Sequence, residues 1–182
     1  MSEAVSPFAE YLPAPADRRA SVAVTLARAS EEDVGELAAL QVGARGGTVA
    51  DWAGRIGRTL RGERNVVVAA RVGGEIAGYG NVIHLAPHPD DGAPGGYYLM
   101  GVSVAPRWRR RGIGDALTRW RMAWVGERQG APEVWCFVSA ANPASVDLHL
   151  ALGFVEVRRA PALQGVSFDY GEGVLLRAER GR

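Results

Sequence analysis

The sequence predicts one α/β (α+β) domain in which helices cover a mixed, twisted sheet. Two observations predict this class. The 182 residues are 47% hydrophobic and 23% charged, a size and composition typical of one globular unit with a substantial core. Segments that alternate like strands are interleaved with segments of helical spacing, in the order β, α, α, β, β, β, α, β, α, β, β.

The N-terminal part of the chain predicts a tail, a strand and two helices. Residues 1–20 have no periodicity and hold three of the ten prolines, so we expect a tail or arm there and the folded domain at 21–182. Residues 22–28 alternate loosely, as a strand does. Ser30 and Thr48, each with an acidic residue three positions on, predict two helix starts. The apolar positions at helical spacing are Val34, Leu37 and Ala38 in the first helix, with Gln41 beside them, and Val49, Trp52, Ile56 and Leu60 in the second.

The middle of the chain predicts a hairpin and a third strand. Residues 65–72 and 76–85 read as strands joined by Gly73-Gly74, a turn that tolerates positive φ. Residues 86–96 are rich in proline, glycine and aspartate, and we interpret them as a functional lip. Residues 97–104 read as the next strand.

The C-terminal half predicts two more helices and three more strands. Residues 112–129 have helical spacing with a buried stripe, in which Trp120 and Trp124 belong either to the core or to a dimer face. Residues 133–139 are almost continuously apolar, which is typical of a strand covered on both faces. A short helix at 143–152 and strands at 154–159 and 173–180 complete the pattern, with a loop at 160–172.

Composition excludes several kinds of chemistry. All 21 basic residues are arginine, so the chain has no lysine for a Schiff base or for a Walker-type nucleotide site. Cys136 is the one cysteine, which excludes an internal disulfide and a multi-thiolate zinc site, and it reads as a packed thiol. The three histidines are scattered, so we expect no metal.

The charge balance and the hydropathy limit which partners we expect this chain to bind. A net charge of +1 gives no overall attraction to nucleic acid or to acidic membranes, so we expect neither partner. No apolar run approaches the length of a membrane span, and no secretory signal pattern is seen at the N-terminus. The expected location is therefore the cytoplasm.

One segment concentrates the features of an anion site. Residues 104–114 read Val-Ala-Pro-Arg-Trp-Arg-Arg-Arg-Gly-Ile-Gly and join a strand to a helix. A helix N-terminus offers free N–H groups, glycines admit a phosphate, and four arginines add positive charge. A pyrophosphate is the simplest ligand, although a tight turn with solvated arginines remains an alternative. A dinucleotide fingerprint fits poorly, because Leu117 occupies its third glycine position.

This segment resembles the coenzyme-A-binding motif of the GCN5-related N-acetyltransferase (GNAT) superfamily, in which Arg/Gln-x-x-Gly-x-Gly/Ala follows Val-x-Pro. Residues 142–154, Asn-Pro-Ala-Ser-Val-Asp-Leu-His-Leu-Ala-Leu-Gly-Phe, are similar to a second motif of the family. The resemblance implies the acyl-CoA N-acyltransferase fold: about seven mostly antiparallel strands with a splayed central pair, and about four helices. It also implies acetyl-CoA as cosubstrate and an amine as acceptor.

The resemblance assigns roles to residues that match the motifs. The backbone of Val102, Ser103 and Val104 would pair with the pantetheine arm as an extra strand does. Asn142 would hydrogen-bond the pantetheine. The pyrophosphate would lie on the turn formed by Arg109, Arg110, Arg111, Gly112, Ile113, Gly114 and Asp115.

For catalysis, the resemblance implies a proton donor at His149, where many relatives have tyrosine and the phosphinothricin-type small-amine acetyltransferases have histidine. Many relatives carry an acid on the preceding strand, where this chain has Met100 and Gly101. The base is therefore open between His84, the lip residues Asp90 and Asp91, and a water chain.

The acceptor is expected to be a small-molecule amine. Asp90 and Asp91 would attract its positive charge, and Tyr97 and Tyr98 would line its pocket. The alternatives are a non-catalytic acyl-CoA-binding module of the same fold and an acetyltransferase of protein N-termini or lysines. A homodimer is left open.

Overall fold

The computed structural model describes residues 21–168 and 171–179. The predicted tail at 1–20 lies outside these residues. The helices are α1 (Val34–Arg45), α2 (Val49–Arg61), α3 (Ile113–Gln129) and α4 (Pro143–Ala151). The strands are β1 (Thr25–Arg28), β2 (Val66–Val72), β3 (Glu75–Leu85), β4 (Gly96–Val104), β5 (Glu133–Ser139), β6 (Val155–Ala160), β7 (Ala162–Leu163), β8 (Val166–Ser167) and β9 (Gly173–Glu179).

Seven strands form one sheet in the order β1-β2-β3-β4-β5-β9-β6. All neighbours are antiparallel except β4 and β5, which run parallel and pair only at Tyr98 and Trp135. The two central strands therefore diverge beyond this point. The predicted fold class is confirmed: a mostly antiparallel sheet of seven strands with a splayed central pair, accompanied by four α-helices.

Local sequence signals account for most element boundaries. The Thr48 hydroxyl accepts a hydrogen bond from the backbone N–H of Asp51 at 3.1 Å, which is the N-cap that the sequence predicts for α2. Gly73 and Gly74 both have positive φ and form the turn between β2 and β3. The first strand begins at Thr25, three residues later than predicted.

The sheet is covered on both faces. On one face, α1 and α2 pack Leu37, Trp52 and Ile56 against β2 and β3. On the other face, α3 packs Ile113 and Leu117 against β2, β3 and β4, and its later turns reach β5 and β9.

The structure corrects one prediction about burial and decides a second. Val49 is 48% exposed, so it does not share the buried face of Trp52 and Ile56: it is the first residue of α2 and lies beyond the sheet contact. Trp124 is 6% exposed and belongs to the core, and the partly buried Trp120 packs against the same cluster.

The segment 160–172, predicted to be a loop, contains the short hairpin of β7 and β8. Leu163 and Phe168 from this segment pack on Tyr98, Phe137 and Leu175. The hairpin thus packs on the same face of the sheet as α1 and α2. It covers the part of that face, over β4, β5 and β9, that the two helices leave open. Periodicity could not reveal strands of two residues each.

A β-bulge interrupts β4 at Gly101. Asn81 of β3 pairs with Met100 and Gly80 pairs with Val102, so Gly101 is left without a partner in the register. Its φ of +48° lies in the left-handed region that favours glycine. The bulge lies where β4 and β5 have separated, and it shapes the site described next.

Candidate active site

A cavity of about 130 Å³ lies in the gap between β4 and β5. Residues of β4 and β5 form its walls, α3 and α4 contribute side chains from one face of the sheet, and α1 and β8 contribute from the other. His149 and Asn142, predicted for catalysis and for cosubstrate binding, both line it, as do Gly101 and Val102.

The turn before α3 exposes a helix N-terminus, as predicted. Gly112 is the N-cap and adopts φ +84°, and no side chain caps the helix within the described structure. The first helical hydrogen bond runs from the N–H of Ala116 to the carbonyl of Gly112 at 3.0 Å. The N–H groups of Ile113, Gly114 and Asp115 precede this bond, so they have no i−4 partner within the helix and are the groups that the predicted anion would bind.

The arginines of this turn divide into two groups. Arg107 forms an exposed ion pair with Glu75 at 2.7 Å, and Arg109 donates from Nε to the carbonyl of Val104 at 3.1 Å. Arg110 is exposed and has φ +63°, an uncommon conformation for a residue with a side chain. Arg111 lies over the Trp108 ring, and its buried Nε has no hydrogen-bond partner among the described residues.

The turn fits a pyrophosphate. Arg110 and Arg111 retain donors for it, whereas Arg109 braces the turn and Arg107 is paired elsewhere. The side chain of Asp115 bonds Arg119 at 2.9 Å, which leaves its backbone N–H as the group it offers. A guanidinium and a row of N–H groups together bind phosphate oxygens well.

β4 offers a backbone edge beside this turn that β5 does not pair with, although the carbonyl of Val104 already accepts a hydrogen bond from Arg109. Val102, Ser103 and Val104 pair with β3 on one side, but no β5 residue pairs with them on the other. The Ser103 hydroxyl donates to Gln41 of α1 at 2.6 Å and so holds this stretch against the helix. An unpaired edge of this kind accepts an extended, amide-containing chain.

Asn142 begins α4 in addition to lining the cavity. Its Oδ1 accepts a hydrogen bond from the backbone N–H of Ser145 at 3.2 Å, which makes it the N-cap of α4. The cap uses the amide oxygen and leaves the amide nitrogen as the donor available to a ligand.

His149 is buried and neutral. Only 4% of it is exposed, and its Nδ1 lies 2.7 Å from the carbonyl of Ser145, one turn earlier on α4. Because a carbonyl can only accept, Nδ1 carries the proton and Nε2 presents a lone pair. Burial lowers the pKa of His149 to about 4, and the positive charge of Arg121 acts in the same direction while the Ser145 contact opposes it.

Arg121 is the functional candidate that the sequence analysis missed. It is fully buried on α3 and donates to the carbonyls of Asn81 at 3.1 Å, Met100 at 3.4 Å and Leu117 at 3.1 Å. The guanidinium thus bridges both strands at the bulge, and burial lowers its pKa to about 10. A Cβ on Gly80 would lie 3.0 Å from this guanidinium, so glycine makes room for it. A charged residue four positions after Leu117 on the buried stripe was the available signal.

His84 lies away from the cavity. Its backbone N–H bonds Asn65, and its ring contacts the Tyr97 ring edge-on at 4.8 Å, near the opposite end of β4 from the bulge. Burial, followed by the charge of Arg64, lowers the pKa of the imidazole. Since His84 is not among the cavity residues, the structure does not bring the two predicted catalytic histidines together.

Asp91 joins the lip to the β7–β8 hairpin. Its carboxylate accepts hydrogen bonds from the backbone N–H groups of Ala93 at 2.9 Å and Gly165 at 2.8 Å. Burial opposes ionisation, but these bonds, with His88 and Arg158 nearby, hold the pKa of Asp91 below its usual value. Asp91 thus makes a structural contact between the lip and the hairpin, whereas Asp90 is exposed, and the attraction of an amine by either carboxylate stays a prediction.

Asp91→Ala should lower the free energy of unfolding by about 1 to 2 kcal/mol, since two hydrogen bonds from backbone N–H groups to a carboxylate, one part-buried and one exposed, are lost. Asp90→Ala is the matched control and should change stability by less than about 0.5 kcal/mol. Denaturant titration of both variants measures this. Equal stabilities of the two variants would show that Asp91 is not the anchor.

Tyr97 and Tyr98 are core residues on opposite faces of β4, not the predicted pocket lining. Tyr97 is 4% exposed, and its hydroxyl accepts a hydrogen bond from Arg64 at 3.1 Å. Tyr98 is fully buried, and its hydroxyl donates to the carbonyl of Pro94 at 2.6 Å. The alternation of β4 thus buries both rings, and Tyr98 anchors the lip.

The remaining features of the described residues concern the cysteine thiol, a second groove, metal ligands and membrane spans. Burial raises the pKa of the Cys136 thiol, which packs in the core as predicted. A wider groove of about 550 Å³ between α1 and the β2–β3 turn contains none of the predicted site residues. Within residues 21–168 and 171–179, no three metal-ligating side chains lie together and no helix is long and apolar enough to cross a membrane.

Comparison with known proteins shows which family this chain belongs to. Residues 26–154 match the profile of the acetyltransferase (GNAT) family. The chain belongs to this family. A 93-residue stretch, half of this chain, is 33% identical to aminoglycoside N(6')-acetyltransferase type 1 of Klebsiella aerogenes and spans 60% of that enzyme.

Solved GNAT structures share the fold. The ribosomal-protein-S18-alanine N-acetyltransferase of Escherichia coli aligns with 88% of this chain and 96% of its own, at 19% identity and a TM-score of 0.66. A spermidine/spermine N-acetyltransferase from Vibrio cholerae aligns with 86% of this chain and 94% of its own, at 12% identity and a TM-score of 0.64. At these identities the likeness concerns the fold, and the acceptors of these proteins differ widely.

Proposed function

We propose that this GNAT protein is an acetyl-CoA-dependent N-acetyltransferase that acetylates the amine of a small molecule. The observation that carries the proposal is the continuity of three features: the exposed N-terminus of α3, the unpaired edge of β4 and the cavity beside His149. A pyrophosphate, an amide-containing arm and a thioester are three successive parts of acetyl-CoA, and these features would bind them in that order.

The reaction is the direct attack of a neutral amine on the thioester carbonyl. The new C–N bond forms, the C–S bond breaks, the sulfur leaves with the bonding electrons, and the nitrogen loses a proton. Because Nδ1 of His149 holds the ring proton against the carbonyl of Ser145, Nε2 can accept this proton and has none of its own to donate. The imidazolium formed in this way then donates to the departing thiolate, so the donor role expected from the motif follows the acceptor role.

An acyl-CoA-binding module without turnover is the second candidate. One observation favours it: no aspartate or glutamate is among the described residues that line the cavity, so the carboxylate base of many relatives has no counterpart here. Both candidates bind acetyl-CoA, and turnover separates them.

Calorimetry with acetyl-CoA, followed by a thiol-release assay over a panel of amines, tests the proposal. We expect binding, and acetylation of at least one small amine. Absence of binding would remove both candidates, and binding without release of the thiol for any amine would favour the module.

A further inference from the structure

The guanidinium of Arg121 lies at the point where the bulge interrupts β4. Its Nη1 donates to the carbonyls of Asn81 at 3.1 Å and Met100 at 3.4 Å, and these two residues face each other in the register of β3 and β4. The next residue of β4 is Gly101, which has no partner in that register. The guanidinium therefore holds both strands immediately before the bulge.

Further donors of Arg121 bind its own helix. Nε donates to the carbonyl of Leu117 at 3.1 Å, and Nη2 donates to the hydroxyl of Thr118 at 3.1 Å. This hydroxyl donates in turn to the carbonyl of Gly114 at 2.8 Å, in the first turn of α3. A chain of hydrogen bonds therefore runs from the predicted pyrophosphate turn, through Thr118 and Arg121, to the carbonyl of Met100.

The burial of this charge is costly for stability. Arg121 is fully buried, and the hydrogen bonds that the structure assigns to it all end on neutral oxygens rather than on a carboxylate. Removing a cation from water carries a large free-energy cost, and apolar side chains often stabilise such positions at least as well. A buried charge on the wall of a cavity is therefore a candidate for a functional role.

Arg121 shares this cavity with the predicted catalytic residue His149. Burial is the main cause of the lowered pKa of His149, and the charge of Arg121 adds to it, so the two side chains lie close enough to interact. The other charged groups near His149 are Arg45 of α1, which has a partner of its own, and Asp147 of α4, which is exposed. The guanidinium thus disfavours a second positive charge on the imidazole.

We propose that Arg121 is a positioning residue for acetyl transfer, which fixes the bulge of β4 relative to α3 and thereby the place of the thioester beside His149. The inference rests on the proposed acetyltransferase function and assigns a further residue to the same site. The pyrophosphate would lie at one end of the hydrogen-bond chain, and the thioester at the other. Because a displacement of about 1 Å at the reacting centre can lower a rate about 100-fold, loss of the chain should slow the reaction more than it weakens binding.

Three variants test the inference. Arg121→Met removes the bridge and the charge, and Arg121→Lys keeps the charge but cannot reach all the same partners. Gly80→Ala keeps the arginine but displaces it, since a Cβ on Gly80 would lie 3.0 Å from the guanidinium carbon. We expect each variant to lower kcat at least tenfold and to change the calorimetric Kd of acetyl-CoA less than threefold.

The rate of thiol release from acetyl-CoA gives kcat, with the acceptor that the parent acetylates fastest among kanamycin, spermidine, tyramine and leucine. Arg58→Met and Gly43→Ala are the matched controls. Arg58 is exposed on α2, and a Cβ on Gly43 of α1 would meet no atom within 4 Å. Both controls should retain the kcat of the parent within twofold. Thermal unfolding shows that each variant is folded at the temperature of the assay.

The protonation of His149 is a readout that a purely structural role of Arg121 would leave unchanged. NMR titration of the imidazole rings measures it, with His149→Phe to assign the signal. In Arg121→Met, the pKa of His149 should rise from about 4 but stay below 6.5, because burial still opposes the charge. In Arg121→Lys it should stay near the value of the parent, since the ammonium replaces the guanidinium charge.

The outcomes distinguish the inference from the proposed function. The inference is overturned by a parent-like kcat in Arg121→Lys and Gly80→Ala, or by a fall in kcat that an equal fall in acetyl-CoA affinity accompanies. An unchanged pKa of His149 in folded Arg121→Met also overturns it, and in each case the proposed function stands. If Arg121→Met does not fold, the other two variants decide through kcat. Failure of the parent to release the thiol with every amine would overturn the proposed function, and the inference with it.

Discussion

Gly114→Val is expected to weaken acetyl-CoA binding about 100-fold, which corresponds to about 2.7 kcal/mol. Gly114 is the second residue of α3, and a Cβ there would have only Leu148 nearby, at 3.8 Å. Side chains lean toward the N-terminus of their helix, so the branched valine would cover the N–H groups of the first turn. Calorimetric titration with acetyl-CoA measures the loss.

α1 supplies a matched control for this variant. Gly35 is the second residue of α1, is exposed and has no atom within 4 Å of a built Cβ, so Gly35→Val makes the same change at a helix start without the predicted pyrophosphate. Both variants should unfold within about 1 kcal/mol of the parent, because valine and glycine have similar helix propensities. Unchanged affinity in Gly114→Val would contradict the assignment of the turn.

The stability of the protein should fall by about 3 kcal/mol more between pH 7 and pH 4 in the parent than in His149→Phe. The folded pKa of His149 is about 4, below the ordinary value of 6.5. Between these pH values the unfolded chain binds a proton at this histidine and the folded chain does not. Stability therefore declines as the pH falls through this window, and the contribution levels off below pH 4.

Denaturant titrations across this pH range measure how steeply the free energy of unfolding changes with pH in each protein. The two slopes can be compared even if His149→Phe is less stable than the parent at pH 7. His84→Phe is the control, and it should alter the slope less because His84 is only partly buried. Identical slopes for the parent and His149→Phe would mean that folding leaves the pKa of His149 near its ordinary value, which would contradict the lowering of that pKa by burial.

Much of the fold was predictable because its signals are local. The cap at Thr48, the Gly73-Gly74 turn and the apolar run of β5 each depend on neighbours within a few residues, and all three are confirmed. The hairpin of β7 and β8 was missed, since its strands are too short to show a period and their stability comes from packing on Tyr98 and Phe137.

The parts of the site that depend on backbone geometry were predictable from the sequence. The exposed turn before α3 and the N-cap at Asn142 follow from glycine and asparagine at helix starts. The roles of the two tyrosines on β4 were not predictable. Both faces of this strand are buried, so the sequence does not show which face each tyrosine occupies. The contact between Asp91 and Gly165 was not predictable either, since Gly165 lies 74 residues further along the chain.

By itself, the sequence determined the fold class, the order of the elements and the motifs that resemble GNAT enzymes. All of these depend on periodicity, caps and turns within short stretches of chain. Only the tertiary structure decided that Arg121 bridges Asn81 and Met100 across the bulge, and that His149 is neutral. The physical reason is that strand register and burial set these properties, and both arise from contacts between residues far apart in the chain.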